Sequence, residues 1–256
     1  MKKTILALSL AAMTLPAMAQ KAAEPDFSIS GNVSLVSDYR FRGISQTDKD
    51  PAIQGGFDLA HKSGLYVGTW ASNVSGDWAN PSGSLELDVY GGYSGEFKGG
   101  IGYDVGYIAY RYPGNKVDPG APKNNTEEWY VGVSYGPASY KFSKATSDWF
   151  GVDKSKGSYY HSLGLEISPI DKLTLSASAG YQKVKGRSVG VDLSFNDYSL
   201  GASYDLGDGL SVGLTATKVS FKKSGAKAAW FTSESDSGSE TKLYKDTVVL
   251  SLTKEF

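Results

Sequence analysis

Apolar residues recur at every second position through most of this chain, in stretches too short for helices of comparable periodicity and separated by turn-forming residues. Successive side chains of a strand point to opposite faces, so each stretch has one apolar and one polar face. From Phe27 to Arg42 the apolar side carries Phe27, Ile29, Val33, Leu35, Tyr39 and Phe41, and the other carries Ser28, Ser30, Asn32, Ser34, Asp38, Arg40 and Arg42. The same reading places further strands at Ala52–His61, Leu65–Val74, Ser84–Gly95, Gly100–Arg111, Thr126–Tyr135 and Ala138–Trp149. The remainder fall at Ser158–Ser168, Leu173–Val184, about Ser194–Leu206, Leu210–Phe221 and Tyr244–Phe256, twelve in all. Leu65–Val74 leaves its facing open, because Tyr66, Trp70 and Val74 compete with Leu65, Val67 and Ala71 for the apolar side.

The connections alternate in length. Those at Lys62–Gly64, Glu96–Gly99, Gly136–Pro137, Pro169–Lys172 and Gly207–Gly209 are short, whereas Gly43–Pro51, Ser75–Gly83, Tyr112–Asn125, Phe150–Gly157, Lys185–Leu193 and Lys222–Leu243 are longer and polar. An even number of antiparallel strands with short turns at one end and long loops at the other is the rhythm of a single outer-membrane β-barrel, its termini and short turns at the periplasm. A soluble sandwich has no reason to produce it.

The ends of the chain agree with that expectation. Lys2 and Lys3, an apolar run from Thr4 to Leu15 and the small-residue site Ala17-Met18-Ala19 read as a secretory signal peptide over residues 1–19, cleaved before Gln20, leaving 20–256 as the barrel. Beyond it the longest uncharged stretch, Ser63 to Gly76, falls short of the roughly 20 residues a spanning helix needs, but a barrel strand crosses with about 9–11. In the terminal strand Val248, Leu250, Leu252 and Phe256 share one face, with Lys254 the misfit. A last strand of this pattern ending in an aromatic looks like the closing strand of an outer-membrane barrel, paired with the first strand and engaged by the barrel assembly machinery.

Outward aromatics gather at both strand ends: Phe27, Tyr93, Tyr103, Tyr135, Tyr204 and Phe256 toward the short turns, and Tyr39, Phe41, Trp129, Tyr159 and Tyr181 toward the long loops. Rings that are apolar with a polar edge favour the two interfaces of a bilayer, so outer-membrane lipid is an expected partner. Without Lys2 and Lys3 the chain has 24 basic against 27 acidic residues, a net charge of −3 that implies no nucleic-acid partner. It has no cysteine, so no disulfide framework and no Cys-ligated metal.

Between Gly31 and Val74 the runs Ser37-Asp38-Tyr39-Arg40-Phe41-Arg42-Gly43, Ser45-Gln46-Thr47, Pro51-Ala52-Ile53-Gln54-Gly55-Gly56 and Ser63-Gly64-Leu65-Tyr66-Val67-Gly68-Thr69-Trp70 stand at continuous spacing, and Asp197-Tyr198-Ser199-Leu200-Gly201 follows later. In these runs and in the terminal strand the chain resembles the TorF family of porins. The resemblance implies an outer-membrane β-barrel channel and names no substrate.

A barrel enzyme is the rival class, and it would need a nucleophile, a base and an orienting group within hydrogen-bond reach. The chain's two histidines, His61 and His161, both fall on the outward phase near opposite ends, and Ser162 points away from its neighbour His161. No catalytic, metal or cofactor site is expected. A soluble ligand-holding barrel would turn its apolar face inward; a structural or adhesive outer-membrane barrel would share the fold without the conduction. The expected pore lining is acidic at Asp38, Asp58, Glu86, Asp88, Asp104, Glu128 and Glu166, basic at Arg40, Arg42 and Lys141, and neutral at Gln54. On this reading the lumen is narrow and wet rather than filled by a packed plug. It passes small hydrophilic solutes with modest cation preference, and Arg40 and Arg42 face Gln54, Glu86 and Glu128 across a constriction near the external mouth.

Overall fold

The computed structural model describes residues 26–75, 83–114, 124–186, 192–221, 232–234 and 240–256. The segment 1–19 with its cleavage site, and most of the expected loops 75–83, 112–125, 185–193 and 222–243, lie outside the described residues. The strands are β1 (Phe27–Val36), β2 (Arg40–Phe41), β3 (Ile44–Ser45), β4 (Ala52–His61), β5 (Leu65–Asn73), β6 (Leu85–Phe97), β7 (Ile101–Arg111) and β8 (Thr126–Tyr135), followed by β9 (Ala138–Ala145), β10 (Tyr159–Ile170), β11 (Leu173–Lys183), β12 (Phe195–Gly207), β13 (Leu210–Phe221), β14 (Thr232–Glu234), β15 (Glu240–Lys242) and β16 (Thr247–Glu255). Twelve of them form one closed antiparallel barrel in the order β1-β16-β13-β12-β11-β10-β9-β8-β7-β6-β5-β4, while β2–β3 and β14–β15 are separate two-stranded pairs. Closure gives every barrel strand a hydrogen-bonded neighbour on both sides.

The seam is made by β1 and β16, in register from Asn32 opposite Glu255 to Val36 opposite Ser251. Beyond it Gly31 and Phe256 exchange both backbone hydrogen bonds, at 2.9 and 3.0 Å. The Phe256 ring packs edge-on against Phe57, and a Cβ on Gly31 would stand 2.7 Å from that ring, which is why the position opposite the terminal aromatic carries no side chain.

The alternation resolves with the apolar face outward. Ile29, Leu200 and Val248 are 77%, 68% and 63% exposed, whereas Ser34, Asp104 and Glu128 on the opposite phase are 7% or less. In β5 it is Tyr66 and Trp70 that turn inward, with Leu65 and Val67 outside. The Lys254 misfit stays on the outer face at the short-turn end, where its ammonium donates to the Asp208 carbonyl. Outward aromatics pack at both rims, Trp129, Phe142, Tyr159 and Tyr181 in one file toward the long loops and Tyr93, Phe97 and Tyr103 toward the short turns.

Five expectations need correction. The first strand does not run to Arg42: β1 ends at Val36, and the chain turns into the barrel as the hairpin β2–β3, with Phe41 paired to Ile44 across the two-residue turn Arg42-Gly43. Both turn residues have positive φ, 48° and 80°, the type I′ geometry that matches strand twist in tight hairpins. Tyr39 and Phe41 are therefore not rim aromatics; they are 4% and 7% exposed inside the barrel. The expected strand to Trp149 likewise stops at Ala145, and the terminal strand begins at Thr247 rather than Tyr244, because Trp149, Phe150, Val152 and Leu243 fold inward as well. These side chains make a buried apolar cluster with Phe41, Ile44, Tyr110 and Phe195. The long-loop half of the interior is thus a packed plug rather than a water-filled tube. At the short-turn end inward side chains such as Ser28, Ser30 and Glu166 remain exposed, so the lumen opens there as a polar vestibule.

Candidate functional site

The hairpin is held across the lumen by its two arginines. Arg40 ties its own segment to the stretch before β16: its Nε donates to Asp38 at 2.6 Å, and its Nη1 donates to the carbonyls of Gly43, Leu243 and Lys245. Asp38 also accepts from Ser45 at 2.6 Å. The expectation that Arg40 faces Gln54 and Glu86 is corrected, because the turn into the lumen brings Tyr39 to Glu86 instead, with Oη 3.4 Å from Oε1. Arg42, at the hairpin tip, forks onto Glu128 of β8 at 2.6 and 3.1 Å and donates to Gln182 of β11 at 2.5 Å. Its guanidinium also lies 4.2 Å above the Tyr160 ring. Burial, the largest single influence, would lower the Arg42 pKa, but the charge and hydrogen bond of Glu128 together with Tyr110 and Tyr160 outweigh it and raise the pKa above the ordinary value, so the group stays charged. Gly43 is pressed against the wall, where a Cβ would meet Val219 at 2.6 Å and Asp197 at 3.2 Å.

Below the hairpin, inward tyrosines lie along the wall, each over an inward glycine of a neighbouring strand: Tyr90 over Gly68, Tyr66 over Gly92, Tyr130 over Gly106, Tyr160 over Gly180. A Cβ at any of the four would collide with the ring or its hydroxyl. Their hydroxyls are tied down on carboxylates: Tyr90 donates to Asp58 at 2.7 Å, Tyr66 to Asp104 at 2.7 Å and Tyr160 to Asp197 at 2.9 Å, while Tyr66 and Tyr130 share a hydrogen bond at 2.5 Å. Lys141 of β9 sits 4.2 Å over the Tyr130 ring. Glu86 and Asp88 of β6 are 1% and 4% exposed, and each keeps one carboxylate oxygen without a hydrogen-bond partner among the described residues. Gln54 reaches Ser72 at 3.3 Å, and Glu166 lies lower, on the vestibule wall.

The structure thus gathers Asp38, Arg40 and Arg42 on the hairpin, Gln54, Glu86, Asp88 and Glu128 around it, and Asp58, Asp104 and Lys141 among the tyrosines. Sequence reasoning missed Asp197, Gln182 and the tyrosines as a set. Asp197 shares its phase with Ser199, Ser203 and Asp205, a polar face that was there to read. The tyrosines were not legible as a set, because nothing in alternation tells that a ring will lie over a glycine of the neighbouring strand. His61 Nδ1 lies 2.8 Å from Ser63 Oγ on the exposed β4–β5 turn, and no carboxylate bonds either group among the described residues. His161 packs outward with Tyr140, its Nδ1 2.7 Å from the phenol.

Apolar outside, polar inside and closed on twelve strands, the fold is of the outer-membrane porin class. The chain belongs to Gcw_chp, a family of bacterial proteins of unknown function, whose pattern matches residues 19–256. Its fold is similar to that of the KdgM porin at a TM-score of 0.52 and 7% identity, covering 89% of this chain and 97% of that one. The KdgM porin in complex with disordered oligogalacturonate gives 0.50 at 10% identity over the same shares. A NanC porin gives 0.50 at 6% identity over 90% of this chain and 99% of that one. At such identities the likeness is one of fold. No curated protein matches the sequence.

Proposed function

We propose that this protein is a narrow outer-membrane channel for passive diffusion of small hydrophilic solutes, cation-preferring, exported by a signal peptide removed before Gln20. The observation that carries the reading is the interior: a polar vestibule open at the short-turn end and closed at the other by a hairpin docked through polar contacts at its tip, Arg42 on Glu128 and Gln182. A barrel with a purely structural role has no use for an open vestibule lined with carboxylates. The porin-like fold and the TorF resemblance support the same reading. One similar porin is described with oligogalacturonate, a polyanion; here Asp58, Asp104, Asp197 and Glu166 outnumber Lys141 and Arg42 on the wall, which supports cationic and neutral solutes instead.

Single-channel recording tests it. The wild type is expected to give small, cation-preferring steps, and a variant with residues 39–46 replaced by a Gly-Ser linker to give steps several-fold larger. The double variant Arg40→Ala with Arg42→Ala is expected to move the reversal potential in a salt gradient further toward the cation value, most at low salt, since screening acts over about 10 Å at 0.1 M. Bilayers that stay silent for both wild type and linker variant would overturn the channel.

A further inference from the structure

Two of the chain's own cations are held inside the barrel in the same way. Lys141 lies over the Tyr130 ring close enough to Asp104 for their charges to interact, and Arg42 lies over the Tyr160 ring with Asp197 beside it. In both, hydrogen bonding couples the ring to a carboxylate, directly between Tyr160 and Asp197 and through Tyr66 between Tyr130 and Asp104. Ring face and negative charge are presented together, the pairing that favours weakly hydrated organic cations.

Tyr90 and Asp58 repeat the unit, with the phenol 2.7 Å from the carboxylate and the ring laid over Gly68. Among the described residues no basic side chain occupies it. Asp88 stands one inward position up β6 from Tyr90, near enough to act on it electrostatically, and is 4% exposed with Oδ1 unpartnered. A buried carboxylate oxygen without a partner is costly, and this one stands beside a tyrosine ring whose inner part packs on the apolar cluster and over which no basic side chain lies among the described residues. Three acidic side chains in a metal-holding arrangement do not occur among the described residues. Asp58 and Tyr90 are half-buried, on the side of the plug that faces the open vestibule.

We infer that Tyr90, Asp58 and Asp88 form a binding site for an organic cation with an alkylammonium or guanidinium head, the solute taking the place that Lys141 and Arg42 hold on their own tyrosines. The inference deepens the channel reading and rests on it for the route by which the solute arrives. The test is calorimetric titration of the full-length barrel in detergent with n-butylammonium chloride, against sodium chloride at constant ionic strength, each variant first shown to be folded by its gel shift on heating. One n-butylammonium per barrel is expected, bound at least tenfold more tightly than sodium. Asp88→Asn and Tyr90→Leu each weaken it tenfold or more, whereas Tyr90→Phe, which keeps the ring, stays within about threefold. Lys141→Ala empties the Tyr130 unit and raises the stoichiometry to two, which tests the inference even if Asp88→Asn does not fold. Absence of saturable binding by the folded wild type, or binding indifferent to both Asp88→Asn and Tyr90→Leu, overturns the site. Currents without n-butylammonium binding overturn the site and leave the channel; binding in a barrel that never conducts overturns the channel and leaves the site.

Discussion

Arg42 joins more of the interior than any other single side chain of the hairpin. It reaches two strands through Glu128 and Gln182 and rests on a ring of a third, and both members of the ion pair are almost completely buried, at 7% and 1% side-chain exposure. Removing one partner of such a pair leaves the other charge without compensation, at a cost of about 3–5 kcal/mol. Arg42→Ala is therefore expected to weaken docking of the hairpin by about that amount, read as a larger conductance together with faster proteolysis near residue 42. Arg42→Lys keeps the charge but loses the fork and is expected to fall between. The turn that delivers this arginine was illegible in the sequence. Type I′ turns announce themselves as Asn-Gly or Asp-Gly, as Asp208-Gly209 does between β12 and β13, where φ is 50° and 73°. Arg42-Gly43 carries the same conformation under an arginine, a residue that seldom adopts it.

At the scale of the hairpin, Asp38 makes docking depend on pH. Burial pushes its carboxyl above the ordinary range near 4, although Arg40 and the Ser45 hydroxyl pull it down. A carboxyl with a raised pKa in the docked state holds its proton there more tightly than when the hairpin is released. Docking gains from Asp38 below the ordinary pKa, and the gain is lost as pH rises through the window up to the raised value. Conductance is expected to grow with pH across that window, and Asp38→Asn to flatten the profile; an opposite slope would mean that the Arg40 pair, not burial, dominates. The same segment shows what alternation can and cannot tell. β4, β8 and β13 begin and end where the pattern placed them, because turn residues bound them on both sides. β1 was read six residues too long because Tyr39, Arg40, Phe41 and Arg42 continue the period of two without a break: a hairpin bent into the lumen alternates as faithfully as a strand crossing a membrane. Periodicity reports a local dihedral pattern, and the bend at Ser37-Asp38 that redirects it is two small polar residues long. The acidic wall was legible because each carboxylate lies opposite an apolar residue on its own strand; the pairing of carboxylates with tyrosines was not, because those partners come from other strands.

For the whole molecule the decisive contact is the seam, since the other barrel strands meet a neighbour adjacent in sequence or one connection away, whereas β1 and β16 lie at opposite ends of the chain. Only after β16 arrives does the barrel lose its last edges. Phe256 extends that seam past β16 by two backbone bonds to Gly31 and by its ring against Phe57, with Val248, Leu250 and Leu252 continuing the outward face above it. The ring is 64% exposed and stands at the short-turn rim, so its burial in the finished fold is modest. A charge near the membrane interface costs only about 0–1 kcal/mol. Equilibrium stability therefore predicts a mild effect of Phe256→Asp, while closure of the seam predicts a severe one, since the last pair to form gates every state before it. We expect Phe256→Asp, and deletion of Phe256, to lower the yield of heat-modifiable barrel in outer membranes at least tenfold while shifting the unfolding midpoint of whatever barrel forms only slightly. An Asp substitution at Asn125 in a long loop serves as the control and should leave yield unchanged. Gly31→Val, which drives a side chain into the Phe256 and Phe57 rings from the opposite strand, should reproduce the loss of yield without touching the terminal residue. If Gly31→Val assembles normally while Phe256→Asp does not, the aromatic is being read by the assembly machinery rather than by the seam.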